Sequence, residues 1–453
     1  MIRLGWSTRD VTPNRPALLR GQKHRRIGRS ALDPVSVTAW ALEAGNPAHA
    51  TVLVSCDLVS PSEGLVRRVR EAAGQRLAGI LPDRVVLFAT HTHTSLELSE
   101  GWYEEAGGDV MTGAECEEWV AERAIAAVVE AWEGRRPRML TRAFGHAVVG
   151  HNRYAAYADG HFQMYGKTNR EDFRGFGGYE DHSVDMLLAL GEDGRPQGIA
   201  LAIPCPSQVT EQLEQFSADY WHEVRVELRR RYGEGLSLLP MCGAAGDQSP
   251  HFLLYGKQEE EMRARRGLGE RQEIARRVGE AVALAVEGAG AAPSLDGPLA
   301  HEVRRVELAP RTVSKADRDW AVASLEASRK LGTRGGGWFE RGLQRVLDVH
   351  DGKRSPEPVP AELHAVRLGD FALVTNPFEL FLDYALRIKA RSPAGQTAVV
   401  QLAGAGMYLP SERAVEGGGY GVNPVVSNVG PEGGRQLVEE TLGMLGRLFP
   451  SAG

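Results

Sequence analysis

The chain of 453 residues carries 53 lysines and arginines against 59 aspartates and glutamates, a formal net charge of -6. With 42% hydrophobic and 25% charged residues, it has the composition of a globular protein with a large core. It lacks the basic excess of a nucleic-acid binder. Cys56, Cys116, Cys205 and Cys242 are far apart with no C-x-x-C pair, which argues against a disulfide framework or a zinc knuckle and fits a reducing compartment. The N-terminus, MIRLGWSTRDVTP, has no apolar signal-peptide region, and no apolar run approaches membrane-spanning length. A cytoplasmic protein without stable membrane insertion is expected.

In chain order, Ile2 to Pro13 reads as a short strand entering a turn. The basic stretch that follows, Arg15, Arg20, Lys23, His24, Arg25, Arg26 and Arg29, reads first as a solvated loop and second as a collector of anionic substrate groups. Val35 to Glu43 and Ala50 to Leu58 form a strand pair, and Ser62 to Leu77 an amphipathic helix. Val85 to Ala89 is a buried strand running directly into Thr90-His91-Thr92-His93. On an extended backbone residues two apart face one side, so His91 and His93 are expected to converge. Two imidazoles there serve as a metal ligand, a general base or one of each, unless they are polar loop residues. Glu115 to Trp132 is helical, Met139 to Val149 strand-like, and Tyr154 to Tyr179 a long aperiodic loop of the kind that often joins a site.

Val184 to Leu190 and Gly198 to Ile203 flank Asp193-Gly194 as a hairpin. The second strand runs into Pro204-Cys205-Pro206-Ser207. Asp219 to Tyr232 is a helix, Leu236 to Met241 a strand, and Glu259 to Glu287 one long helix whose charge run means a solvated face. Glu302 to Leu308, two strands around Gly369-Asp370 and Ala398 to Leu402 complete the strands. Helices are expected at Lys315 to Lys330, Glu379 to Lys389 and Gly434 to Leu448, with a glycine hinge at residues 332–337. No internal repeat is visible. Strands and helices mix without strict alternation, so the expected fold is α/β, a mixed central sheet layered with helices, in one domain over residues 1–453.

Several strands end on polar or glycine-bearing turns, which is how α/β folds assemble a site. In order, these turns resemble the catalytic domain of the neutral (alkaline, non-lysosomal) ceramidases, zinc-dependent amidases that cut the N-acyl bond of ceramide. Asp10-Val11-Thr12-Pro13 after Gly5 is similar to the family's opening. Its T-H-T-H-S is met by Thr90-His91-Thr92-His93-Thr94, its N-R-S by Asn152-Arg153-Tyr154, and its G-D-x-S-P in full by Gly246-Asp247-Gln248-Ser249-Pro250. Pro377-Phe378-Glu379 resembles the P-G-E segment, Tyr408-Leu409-Pro410-Ser411 the Y-V-T-T segment, and Tyr420 a second family tyrosine. The chain stops where those enzymes continue into an immunoglobulin-like domain, and with no secretion signal it is expected to be an intracellular relative.

The resemblance implies His91, Glu379 and Tyr408 as metal ligands. The fourth ligand, the histidine of an H-P-T-S segment, is replaced by Cys205. A thiolate is an acceptable zinc ligand but weakens Lewis acidity, and softer ligation favours another metal such as Fe2+. Otherwise Cys205 is a buried filler and the metal is lost. By resemblance His93, Arg153 and Tyr420 surround the substrate carbonyl and leaving group. Ser249 is a nucleophile, a substrate-binding hydroxyl or a turn residue. The expected function is a zinc-dependent hydrolase of an amide bond in a small, polar substrate. Glycoside cleavage or elimination on the same fold, and a non-catalytic binding protein, are the alternatives. Self-association is left open.

Overall fold

A computed structural model describes residues 2–289, 294–295, 297–331 and 337–450. Three sheets repeat one strand order. In each, a leading strand pairs antiparallel with a hairpin whose second strand crosses through a helix to a parallel partner. The first unit uses Arg3–Asp10, Ser36–Glu43, Thr51–Cys56, helix Glu63–Arg76 and Val85–Ala89. The second uses Met139–His146, Ser183–Leu190, Pro196–Ile203, helix Tyr220–Tyr232 and Ser237–Cys242. The third uses Leu299–Leu308, Val359–Leu368, Phe371–Thr375, helix Leu382–Arg391 and Gln396–Val400. A second helix closes each unit: Gly113–Glu133, Glu270–Ala289 and Pro431–Leu448. The repeat lives in the order of hydrogen-bonded strands, so the amino-acid sequence does not display it.

The inner and parallel strands of each sheet are buried on both faces, which is why they read as apolar runs rather than alternations. In Val85–Ala89, Val86 and Phe88 enter a core shared by all three sheets, beside Leu53, Leu239, Met241, Leu373 and Val400. Val85, Leu87 and Ala89 face the helices of their own unit. Each such valine or leucine contributes about 1.5–3 kcal/mol through burial. Helix starts are set locally. Ser62 accepts from the Leu65 amide, and Thr112 forms a reciprocal capping box with Glu115.

The structure departs from expectation in four places. Residues 154–179 form a three-stranded sheet, Tyr154–Tyr157, Phe162–Met164 and Phe173–Phe176, whose strands are too short to show a period. The long charged helix is two, Gly256–Arg266 and Glu270–Ala289, because Gly267 adopts φ 64° and caps the first. Helix Trp338–His350 has no counterpart among the expected elements. Of the expected glycine hinge, 332–336 lie outside the described residues. The helix expected from Glu379 to Lys389 is instead Leu382–Arg391, and Glu379 precedes it: Glu379–Leu380 pairs as a short parallel strand with Tyr408–Leu409. Among the described residues, no helix is long and apolar enough to cross a membrane.

The charge run on Glu270–Ala289 is more than a solvated face. Buried Glu273 accepts from Arg266, Arg276 and Arg277. The Arg276 hydrogen bond leads the causes that hold its pKa down at about 2. A depressed carboxylate gives stability that is present above its unfolded pKa, about 4.3, and lost as the pH falls towards 2. Melting of the wild type and Glu273→Gln is therefore expected to differ most at neutral pH. The difference should shrink steadily below about pH 4.3; a constant gap would sink the assignment.

Candidate functional site

The site forms where the parallel strands end. Asp57, fully buried, accepts from the Ser36 amide and hydroxyl, Thr90 and Arg225, tying the ends of neighbouring strands together. The chain then turns sharply, because His91 adopts φ 62°. The two imidazoles meet through this left-handed residue and not through the two-residue period of an extended strand, with their Nε2 atoms 3.3 Å apart. His91 Nδ1 lies 2.8 Å from the Val59 carbonyl, which can only accept. The proton therefore sits on Nδ1, and in the neutral ring Nε2 presents a lone pair.

Glu379 Oε2 stands 3.4 Å from His91 Nε2. Burial pushes the Glu379 carboxyl up, but His91, the Tyr408 hydroxyl and Arg153 outweigh it and hold the pKa below the usual range. The paired strands Glu379–Leu380 and Tyr408–Leu409 set these two side chains together. Burial, then the neighbouring Glu379, raises the Tyr408 phenol well above its ordinary value. Arg153, only 4% exposed, donates from Nη2 to the Gly246 carbonyl at 2.6 Å and also hydrogen-bonds Tyr408. Tyr420 packs edge-on to Tyr408 with ring centroids 5.8 Å apart, and burial pushes its hydroxyl up to about 12.

His91, His93, Arg153, Glu379, Tyr408 and Tyr420 line one cavity of about 500 Å³. Two expected residues do not reach it. The Cys205 side chain is fully buried among apolar residues of the second unit, its Sγ 3.4 Å from the Pro206 carbonyl and 3.7 Å from that of Val149. Burial raises its thiol well above the ordinary value. The chain turns after Cys205, with Ser207 donating to the Thr90 carbonyl, so that Gln208 is the residue that reaches His93, at 2.9 Å. Ser249 lies one layer behind the wall and accepts from the Tyr165 hydroxyl at 3.2 Å.

The basic stretch is not simply a solvated loop. Arg26 is 2% exposed and donates to the carbonyls of His93, Arg20 and Leu213, while Arg20 pairs with Glu97 at 2.6 Å over the Trp102 ring. Gln22, Lys23 and His24 line the cavity. So do Trp102, Tyr103, Tyr165, Gln208, Glu211 and Trp338, which sequence reasoning missed. Beyond the expectation that the segment holding Tyr165 joins a site, nothing local marks them. They lie in aperiodic loops or in unrecognised elements, and only the fold brings them to the mouth.

Two solved structures share this fold. Neutral ceramidase from Pseudomonas aeruginosa superimposes with a TM-score of 0.70 at 15% identity, over 98% of this chain and 75% of that one. A ceramidase complexed with C2 gives 0.71 at 14% identity, over 99% and 75%. No family model and no curated protein matches the sequence. The likeness establishes an α/β, neutral-ceramidase-like fold.

Proposed function

Proceeding from the neutral-ceramidase fold, we propose that this chain is a metal-dependent hydrolase of an amide bond in a small polar substrate. The observation that carries the reading is the meeting of His91 Nε2, Glu379 Oε2 and the Tyr408 hydroxyl at one cavity, with Arg153 alongside. Two acceptor atoms, 3.4 Å apart with the imidazole proton held away by Val59, suit a cation. Among the described residues no three His, Cys, Asp or Glu side chains group to hold a metal. On this reading Tyr408 would be the third donor, and Cys205 takes no part. Three protein donors of N and O type with an open position fit a catalytic zinc, and Fe2+ as well.

A bound ion supplies Lewis acidity towards an amide carbonyl. The chain's own groups do the rest. Arg153 and Tyr420 are donors for the charge that develops on the carbonyl oxygen. His93, neutral because burial holds its pKa well down, handles the proton. Gln22, Gln208, Glu211 and Lys23 break up the apolar lining, which favours hydrophilic amides over two long alkyl chains.

Protein purified without added metal is expected to contain a stoichiometric ion, retained in Cys205→Ser and lost in His91→Ala. In a panel of N-acyl amines, amino acids, amino sugars and sphingosines, the polar amides should be cleaved fastest. No metal in any preparation, together with no cleavage, refutes the reading.

A further inference from the structure

We propose that Lys23 is the anchor for a carboxylate on the substrate, so that the amide taken by this cavity carries an acid group close to the bond that breaks. Resting on the function proposed above, this gives the site a substrate class, amido acids such as the N-acyl amino acids. Lys23 lies in the loop of a hairpin, Ala17–Leu19 with Arg26–Gly28, and that loop is pinned against the site. Gly21, at φ 112°, lies so close to His93 that a Cβ there would sit 2.4 Å from its Cγ. The Arg20 amide donates to the Ser95 carbonyl at 2.9 Å, and Arg26 donates to the Arg20 carbonyl at 3.0 Å. The Tyr103 hydroxyl donates to the Gln22 carbonyl. Lys23 thus projects from a fixed backbone and lines the cavity from its exposed side.

The lysine, arginine and acid side chains that line the cavity are answered by protein, with one exception among the described residues. Arg20 pairs with Glu97 at 2.6 Å, and Arg153 donates to the Gly246 carbonyl. Glu379 faces His91, and Glu211 stands between Gln22 Nε2 at 3.1 Å and His251 Nε2 at 3.4 Å. Lys23 Nζ has no ion pair and no hydrogen bond among the described residues. It rests instead 4.2 Å from the centre of the Tyr420 ring, with the Phe339 ring at 6.0 Å. Aromatic faces attract a cation without neutralising it. Partial burial lowers the Lys23 pKa, and no carboxylate among the described residues offsets that shift. An ammonium held in this way awaits an anion from outside the protein. Its compact single charge suits a carboxylate; a phosphate would call for further donors, and Arg20 and Arg153 are engaged elsewhere.

Tyr420 ties the anion position to the chemistry. Its ring packs edge-on to Tyr408 with centroids 5.8 Å apart, so one ring separates Lys23 from Tyr408. A short carbon spacer between amide and acid spans that separation. In an N-acyl amino acid the acid sits on the amine side of the amide, and in an N-succinyl amine on the acyl side. Lys23 touches no reacting atom. It selects by affinity, and its loss should fall on KM.

Calorimetry of the intact protein reads the selection without turnover. The probes are N-acetylphenylalanine and N-phenethylsuccinamic acid, each against its neutral carboxamide. One of the two acids is expected to bind about tenfold tighter than its carboxamide, and which one tells the side of the amide that carries the acid. Lys23→Met should bring that ratio close to one, Lys23→Glu should invert it, and Lys23→Arg should restore it. The side chain is exposed, so an unchanged melting temperature is expected of each variant. With an acid that is cleaved, Lys23→Met should raise KM about tenfold at little change in kcat. Equal binding of both acids and their carboxamides by the wild type overturns the proposal. So does a preference for the acid that Lys23→Met keeps, since the anion then rests on another group. A preference lost in Lys23→Met with no amide cleaved upholds the anion site and removes the hydrolase; cleavage with no preference for acids does the reverse.

Discussion

Arg153→Met is expected to lower kcat by about 10²–10³ while the protein still folds. The guanidinium is buried, spans the Gly246 carbonyl and the Tyr408 hydroxyl, and lies 5.3 Å from the centre of the Tyr408 ring. On the proposed function, a cation there would meet charge as it develops on a carbonyl oxygen, so its removal weighs most on the transition state. The fold loses less. Gly246 is left without its donor, at about 1–3 kcal/mol, readable as a lower melting temperature. Arg153→Lys should restore charge but not the planar fork that reaches both partners, and so recover only part of the rate. Near-wild-type kcat in Arg153→Met would remove this residue from the chemistry.

The sequence made the frame legible because strands buried on both faces leave apolar runs, and the helices between them carry caps. Patterning marked only the histidine pair, His91 and His93, which follow an apolar strand directly; Glu379 and Tyr408 came from the resemblance in the order of the turns. What stayed hidden was set by distant contacts. Cys205 occupies the sequence position of a ligand, yet the turn carried by Ser207 and Thr90 sends its side chain into the core and offers Gln208 instead. Arg26 looked like one of several loop cations, but three backbone carbonyls from separate segments fold around it. The strands within residues 154–179 are three or four residues long, below the length at which alternation can be read.

Gly246→Ala tests how that frame holds the site. A Cβ at Gly246 would lie 2.4 Å from the Glu379 carbonyl oxygen and 2.8 Å from Phe381 Cδ1. The first of these is backbone, and it is pinned. The Leu380 amide donates to Gln401 Oε1, the Leu382 amide to Asp247, and the Gly246 amide to the Leu380 carbonyl. Relief must therefore move the strand that carries Glu379, or the Gly246 carbonyl that anchors Arg153. The expected cost is about 1–3 kcal/mol in stability, as for overpacking elsewhere. The rate should fall further, by about 10²-fold, because a shift of about 1 Å misplaces both Glu379 and Arg153, the proposed metal donor and oxyanion cation. Gly446→Ala is the control. It lies in helix Pro431–Leu448, where an added Cβ would meet nothing within 4 Å, and should leave the rate unchanged while stabilising the helix by about 0.5–1 kcal/mol. If Gly246→Ala keeps both rate and melting temperature, the strand bearing Glu379 yields without cost. The glycine of the Gly-Asp-Gln-Ser-Pro turn then has no steric reason to be there.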